Sequence, residues 1–195
     1  HLYNYLPTKH EKWLTMIKQE IIDSGLIIDI LNAKTMEAVF RLLQGCSFLG
    51  SFLAYQYTID MNYSPYINFS ENDFVKAGIG AIRGIKKCFL CYGNKCEDAI
   101  WYVKEHFNDL LKRYGYNSCH PLPGHEPTLI DLQNCFCETD KYLRAKMPEL
   151  RIGNVRIKQK YMPHTDPIQF FFPPKWNIVE MYKYKPIVVP TLFDL

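Results

Sequence analysis

Two segments of the chain carry residues whose types and spacing suit chemistry on an anionic partner. The first is Phe74-Val75-Lys76-Ala77-Gly78-Ile79-Gly80-Ala81-Ile82-Arg83-Gly84-Ile85-Lys86-Lys87. Two glycines let a backbone turn tightly and approach another surface closely. The pattern predicts a helix that opens at Asp73 and ends at Gly78-Ile79-Gly80. A second helix begins at once, and Ile79 pins the turn into the core. N–H groups at the start of that second helix point outward and favour an anion. Arg83, Lys86 and Lys87 follow within two turns and add positive potential. Gly78, Ile79, Gly80, Arg83, Gly84, Lys86 and Lys87 are therefore the candidate DNA-binding residues. Gly-x-Gly alone is equally well explained as an ordinary turn between packed helices.

The second segment runs from Pro127 to Arg144. Asp131, Asn134, Glu138 and Lys141 lie at i, i+3, i+7 and i+10, so they share one helical face. Such a row can orient a nucleophile or hold a substrate amine. Asp131, Glu138 and Lys141 are the candidate catalytic residues. Asn134 and Arg144 are candidate substrate-binding residues, as are Gln56 and Asp60, which are four apart on an earlier helix. A solvated face with local ion pairs accounts for the same spacing and is the simpler reading of it.

A third cluster, Cys88-x2-Cys91-x4-Cys96, has thiols close enough to ligate zinc, with Cys119 and His120 downstream. No fourth ligand stands out, so the expectation is no metal and no cofactor, with zinc the minor alternative. Seven cysteines is an odd count at irregular spacing, unlike a secreted disulfide framework. They read as reduced thiols of an intracellular protein, cytoplasmic or nuclear.

These residues need helices to position them. Hydrophobic content is 48% and charged content 22%, which places the chain among globular proteins rather than disordered ones. Net charge is only +3, so a local basic patch matters more than the total. No apolar run approaches the ~20 residues that span a bilayer. The chain begins at His1 without Met and reads as a fragment, a processed form or a cloned domain. Thr8 with Glu11 predicts a helix start, and Trp13, Leu14, Ile17, Ile21 and Ile22 follow at helical spacing up to Gly25. A short helix is expected over Leu26–Leu31, and another from Thr35 to Gly45. Phe48–Asp60 is apolar around much of its circumference and predicts a buried central helix. Cys96–Tyr114 predicts one long helix, and Thr128 opens the helix that carries Asp131. Residues 1–147 are expected to form a helical domain. Residues 148–195 are expected to add a short strand at Val155–Lys160 and an extended Pro-rich tail, packed on the domain or docked on a protein partner.

The chain resembles a known group at three places. These are Phe48-Leu49-Gly50-Ser51-Phe52-Leu53-Ala54-Tyr55-Gln56 with Asp60, Gly78-Ile79-Gly80-Ala81-Ile82-Arg83-Gly84, and Asp131-Leu132-Gln133-Asn134 with Cys137-Glu138-Thr139-Asp140-Lys141-Tyr142. The group is the helical domain of alpha-glutamyl/putrescinyl thymine pyrophosphorylases and 5-hydroxymethyluracil DNA kinases. The resemblance implies a mainly α, helix-hairpin-helix fold similar to DNA glycosylases, with double-stranded DNA as partner. It also implies action on a flipped, modified thymine, replacing an activated phosphate or pyrophosphate with an amine or amino-acid co-substrate. Asp131 would then activate the amine, and Arg83, Lys141 and Arg144 would neutralise the leaving group. The alternative is a non-catalytic DNA-binding or assembly module that keeps the fold. No Gly-x4-Gly-Lys-Ser/Thr phosphate loop is present.

Overall fold

Hydroxyl side chains at the starts of helices set much of the architecture. In the computed structural model, residues 2–116, 125–151 and 172–178 are described. Helix α1 (Lys9–Met16) opens on Thr8, whose hydroxyl accepts the Glu11 N–H at 3.2 Å while the Glu11 carboxylate accepts the Thr8 N–H at 3.1 Å. This reciprocal cap satisfies two donors that the helix cannot. The helix continues into a π-helical stretch, Ile17–Asp23. Gly25, at φ 81°, then turns the chain into α2 (Leu26–Asn32). Thr35 accepts the Ala38 N–H at 3.1 Å and starts α3 (Met36–Gln44), which packs against α4 (Ser51–Asn62).

Helix α4 is not buried all round. Ala54, Tyr55, Thr58 and Ile59 enter the core, whereas Phe52 is 51% exposed. Asn62 closes the helix by clamping the following loop: its side chain accepts the Phe69 N–H at 2.8 Å and donates to the Phe69 carbonyl at 3.1 Å.

The second half contains α5 (Ile79–Cys88), α6 (Cys96–Glu105), α7 (Phe107–Arg113) and α8 (Leu129–Lys146). The long helix expected over Cys96–Tyr114 breaks at His106, which adopts φ −107°, ψ 19°. Asp109 in the first turn of α7 suits a new start there. Helix α5 lies along α8, and α6 packs on the same helix. Ile85 of α5, Ile100 of α6 and Leu129 of α8 meet in one core with Phe40 and Tyr55. Single 3-10 turns occur at Pro148–Leu150 and Pro174–Trp176. Among the described residues there is no strand; the one expected at Val155–Lys160 lies outside them.

The helix expected at Phe74–Ala77 does not form. These residues run irregularly into Gly78, so α5 has no short helix immediately before it. Side chains from other elements take the place of helical hydrogen bonds. The Ala77 N–H donates to Glu97 Oε1 at 3.0 Å, and the Gly78 N–H donates to Gln133 Oε1 at 3.2 Å. Val75 and Ala77 are buried, while Lys76 reaches out to Glu97 at 2.8 Å.

Candidate nucleic-acid interface

Helix α5 presents two stripes at i, i+4, i+7. The inner stripe is Gly80, Gly84 and Lys87. A Cβ on Gly80 would sit 2.4 Å from Cys137 Sγ, and one on Gly84 would sit 2.0 Å from the Phe136 carbonyl oxygen. Only glycine allows α8 to come this close. Lys87 completes the stripe: its ammonium meets Asp140 at 2.7 Å, and both side chains are almost wholly buried. Arg144 approaches the other Asp140 oxygen at 3.1 Å. Gly78 is confined too, because a Cβ there would come within 2.7 Å of the Phe52 ring. Helix packing therefore accounts for the glycines, and Lys87 is turned inward onto Asp140.

The outer stripe is Ile79, Arg83 and Lys86. Ile79 is 67% exposed, so it does not pin the turn into the core as its position between two glycines suggests. The turn is held instead by Gln133, which is buried and also donates to Asn134 at 2.8 Å. Arg83 is partly exposed and Lys86 is exposed. Gly78 has no side chain to cap the first-turn N–H groups of α5. The outer stripe thus runs from uncapped donors and an exposed apolar residue in the first turn, past Arg83, to Lys86 in the last turn.

The expected face of α8 is only partly open. Asn134 is exposed, and Glu138 and Lys141 form an exposed ion pair with each other. The hydrogen bond that it donates to Glu138 raises the Lys141 ammonium above its usual range. Asp131 accepts the Thr128 N–H at 2.8 Å and the Thr128 hydroxyl at 2.9 Å, so it caps its own helix. His125 Nε2 lies 3.2 Å from the same Asp131 oxygen. Arg144, expected beside a substrate, belongs to the buried Asp140 cluster. On α4, Asp60 is exposed, and Gln56 buries its Nε2 without a hydrogen-bond partner among the described residues.

Sequence reasoning missed a polar cluster next to Asp131. The Trp176 indole stacks on the His125 imidazole with ring centres 3.7 Å apart and planes 22° from parallel. Its N–H donates to Glu71 Oε2 at 2.8 Å. Lys175 donates to the carbonyls of Phe69 at 3.0 Å and Asn62 at 3.1 Å, and burial lowers its ammonium below the usual range. Burial, followed by the charges of Glu71 and Asp131, pushes the Tyr63 phenol above its usual range. No spacing rule links residues this far apart, and the paired aromatics give no local signal.

Among the described residues, no three His, Cys, Asp or Glu side chains converge to hold a metal ion. Cys88 and Cys91 are exposed, Cys96 is partly buried, and Cys119 and His120 lie outside the described residues. No described helix is long and apolar enough to cross a membrane.

Fold and site together define an all-helical domain with a glycine-packed helix pair and a cationic outer edge. A family model described as "5-hmdU DNA kinase, helical domain" matches residues 3–152. The chain belongs to this family of helical domains associated with a modified-base DNA kinase. No curated protein and no solved structure matches it.

Proposed function

We propose that the chain is the DNA-contacting helical domain of an enzyme acting on 5-hydroxymethyluracil-type bases. The observation that carries this reading is the division of α5 into two stripes. Gly80, Gly84 and Lys87 face α8, which leaves Ile79, Arg83, Lys86 and the uncapped first turn for a partner. First-turn N–H groups and two cations suit a phosphate backbone, and they position a duplex without reading its sequence. The exposed Ile79 suits the apolar sugar edge beside that phosphate. Membership of a DNA kinase helical-domain family supports the same partner. The test is fluorescence anisotropy with a duplex carrying one 5-hydroxymethyluracil. Ile79→Asp places a negative charge at the helix start without disturbing the core, and about a tenfold loss of affinity is expected. Unchanged affinity would contradict the assignment.

A finer reading gives the domain chemistry of its own, as a transferase that replaces an activated phosphate on the extruded base with an amine. One observation favours it: Asp131 sits against His125, at the edge of a polar cluster, where it can take the amine proton. Three hydrogen bonds already engage Asp131, and Glu138 and Lys141 are paired with each other. These commitments favour the alternative, a binding module without turnover. Mass analysis of nucleosides after incubation with phosphorylated 5-hydroxymethyluracil DNA and an amine separates the two. Amine adducts formed by the parent chain and lost in Asp131→Asn support the transferase. No adduct from the parent leaves the binding module.

A further inference from the structure

Helix α4 carries the aromatic side chains Phe52, Tyr55 and Tyr57, and the two tyrosines have ring partners. Tyr55 meets Phe74 with ring centres 5.8 Å apart, and Tyr57 meets Trp13 at 6.3 Å. Phe52 pairs with no ring among the described residues, and it is 51% exposed. One edge of its ring is nevertheless seated. A Cβ on Gly78 would lie 2.7 Å from Cδ2 and 3.1 Å from Cε2, so a side chain at position 78 would displace the ring. The seat holds Phe52 beside the first turn of α5, where the N–H groups are uncapped and Ile79 is exposed. A flat ring with free faces, fixed next to a place that suits a phosphate, is how proteins hold unpaired bases. Gln56 lies one turn further along the same face of α4. Its Nε2 is buried and has no hydrogen-bond partner among the described residues. A buried amide donor without an acceptor carries a desolvation cost, which a carbonyl brought to it would remove.

We propose that Phe52 and Gln56 hold an unpaired uracil-type base, stacked on the phenyl ring with one of its carbonyls on the Gln56 amide. Uracil-type rings carry two carbonyls, and adenine carries none. A base and its own phosphate are neighbours, as Phe52 and the first turn of α5 are neighbours across Gly78. The inference rests on the DNA contact assigned to α5 above and adds the side chains that receive the base. It applies equally to a transferase and to a binding module, because neither Phe52 nor Gln56 takes part in the proton transfer assigned to Asp131.

Fluorescence anisotropy with matched duplexes tests the site. In the first, 5-hydroxymethyluracil faces an abasic position and is therefore unpaired. In the second, adenine is the unpaired base, and in the third both strands are abasic at that position. Loss of one base–aromatic stack weakens binding about tenfold, so Phe52→Ala should lose about tenfold on the first duplex. It should lose nothing on the abasic duplex, with the salt slope unchanged. Phe52→Leu should lose about as much, and Phe52→Trp should restore binding. Gln56→Met should bind the first duplex about fivefold more weakly and the adenine duplex as the parent chain does. It should also melt at or above the parent temperature, since it removes a buried donor without a partner. The proposal fails if Phe52→Ala or Phe52→Leu keeps parental affinity for the first duplex, or if the abasic duplex loses as much. It fails too if Gln56→Met leaves the first duplex unaffected or weakens the adenine duplex equally. Circular dichroism checks folding, and should Phe52→Ala unfold, the comparison of Phe52→Leu with Phe52→Trp decides. A parent chain that binds all three duplexes equally overturns the base site and leaves the DNA contact standing. One that binds none of them overturns both.

Discussion

Asp131 shows how one residue can satisfy two descriptions. Its place at the start of α8 suits a catalytic carboxylate, and the same place makes it a helix cap. The hydrogen bonds to the Thr128 N–H and hydroxyl show that the structural role is filled. Asp131→Ala should therefore cost about 1–2 kcal/mol in thermal or urea denaturation, whatever it does to chemistry. Asp140 is more demanding. It lies between Lys87 and Arg144, and its side chain is 2% exposed. Asp140→Ala leaves two buried cations without their carboxylate, and a loss of about 3–5 kcal/mol is expected in the same denaturation experiment. A loss below about 1 kcal/mol would mean that the cluster is open to water, since exposed pairs contribute no more than that.

At the scale of elements, α5 and α8 form the frame of the site, and glycine sets their separation. Gly84→Ala places a Cβ against the Phe136 backbone carbonyl, which cannot swing away as a side chain can. The helices must part, with an expected loss of about 1–3 kcal/mol and weaker DNA binding if the outer stripe moves with them. Glu97 ties α6 to the segment before α5. Burial alone raises its carboxyl, but hydrogen bonds from Lys76 and the Ala77 N–H outweigh this and hold it below its usual range. A depressed native value adds stability above the unfolded value of about 4.3, which is lost as pH falls through the native one. Melting temperature should therefore fall below about pH 4.3, and less steeply in Glu97→Gln.

The elements show what the sequence could convey. Thr8, Thr35 and Thr128 mark helix starts because a cap is a local interaction, and all three starts stand in the structure. The helix expected at Phe74–Ala77 fails because Glu97 and Gln133, distant in sequence, take its N–H groups. Arg83, Lys86 and Lys87 read alike in the sequence, as one basic run after the glycines. The inward turn of Lys87 was not legible there, since it depends on Asp140, 53 residues away. The Trp176–Glu71 contact joins residues 105 apart, beyond the reach of any spacing rule.

For the whole molecule, a net charge of +3 provides little general attraction to a polyanion. Several cations are already committed: Lys76 to Glu97, Lys87 and Arg144 to Asp140, and Lys141 to Glu138. On the proposed function, affinity for DNA would then come from a few placed groups, Arg83 and Lys86 among them. Each phosphate contact by such a cation steepens the dependence of log K on log salt by about 0.9 for duplex DNA. The decisive measurement is this salt dependence for one modified duplex, compared between the parent chain and Arg83→Ala/Lys86→Ala. The double variant should remain folded, bind more weakly, and show a slope shallower by about 2. An unchanged affinity and slope would contradict the claim that this edge of α5 holds the DNA backbone.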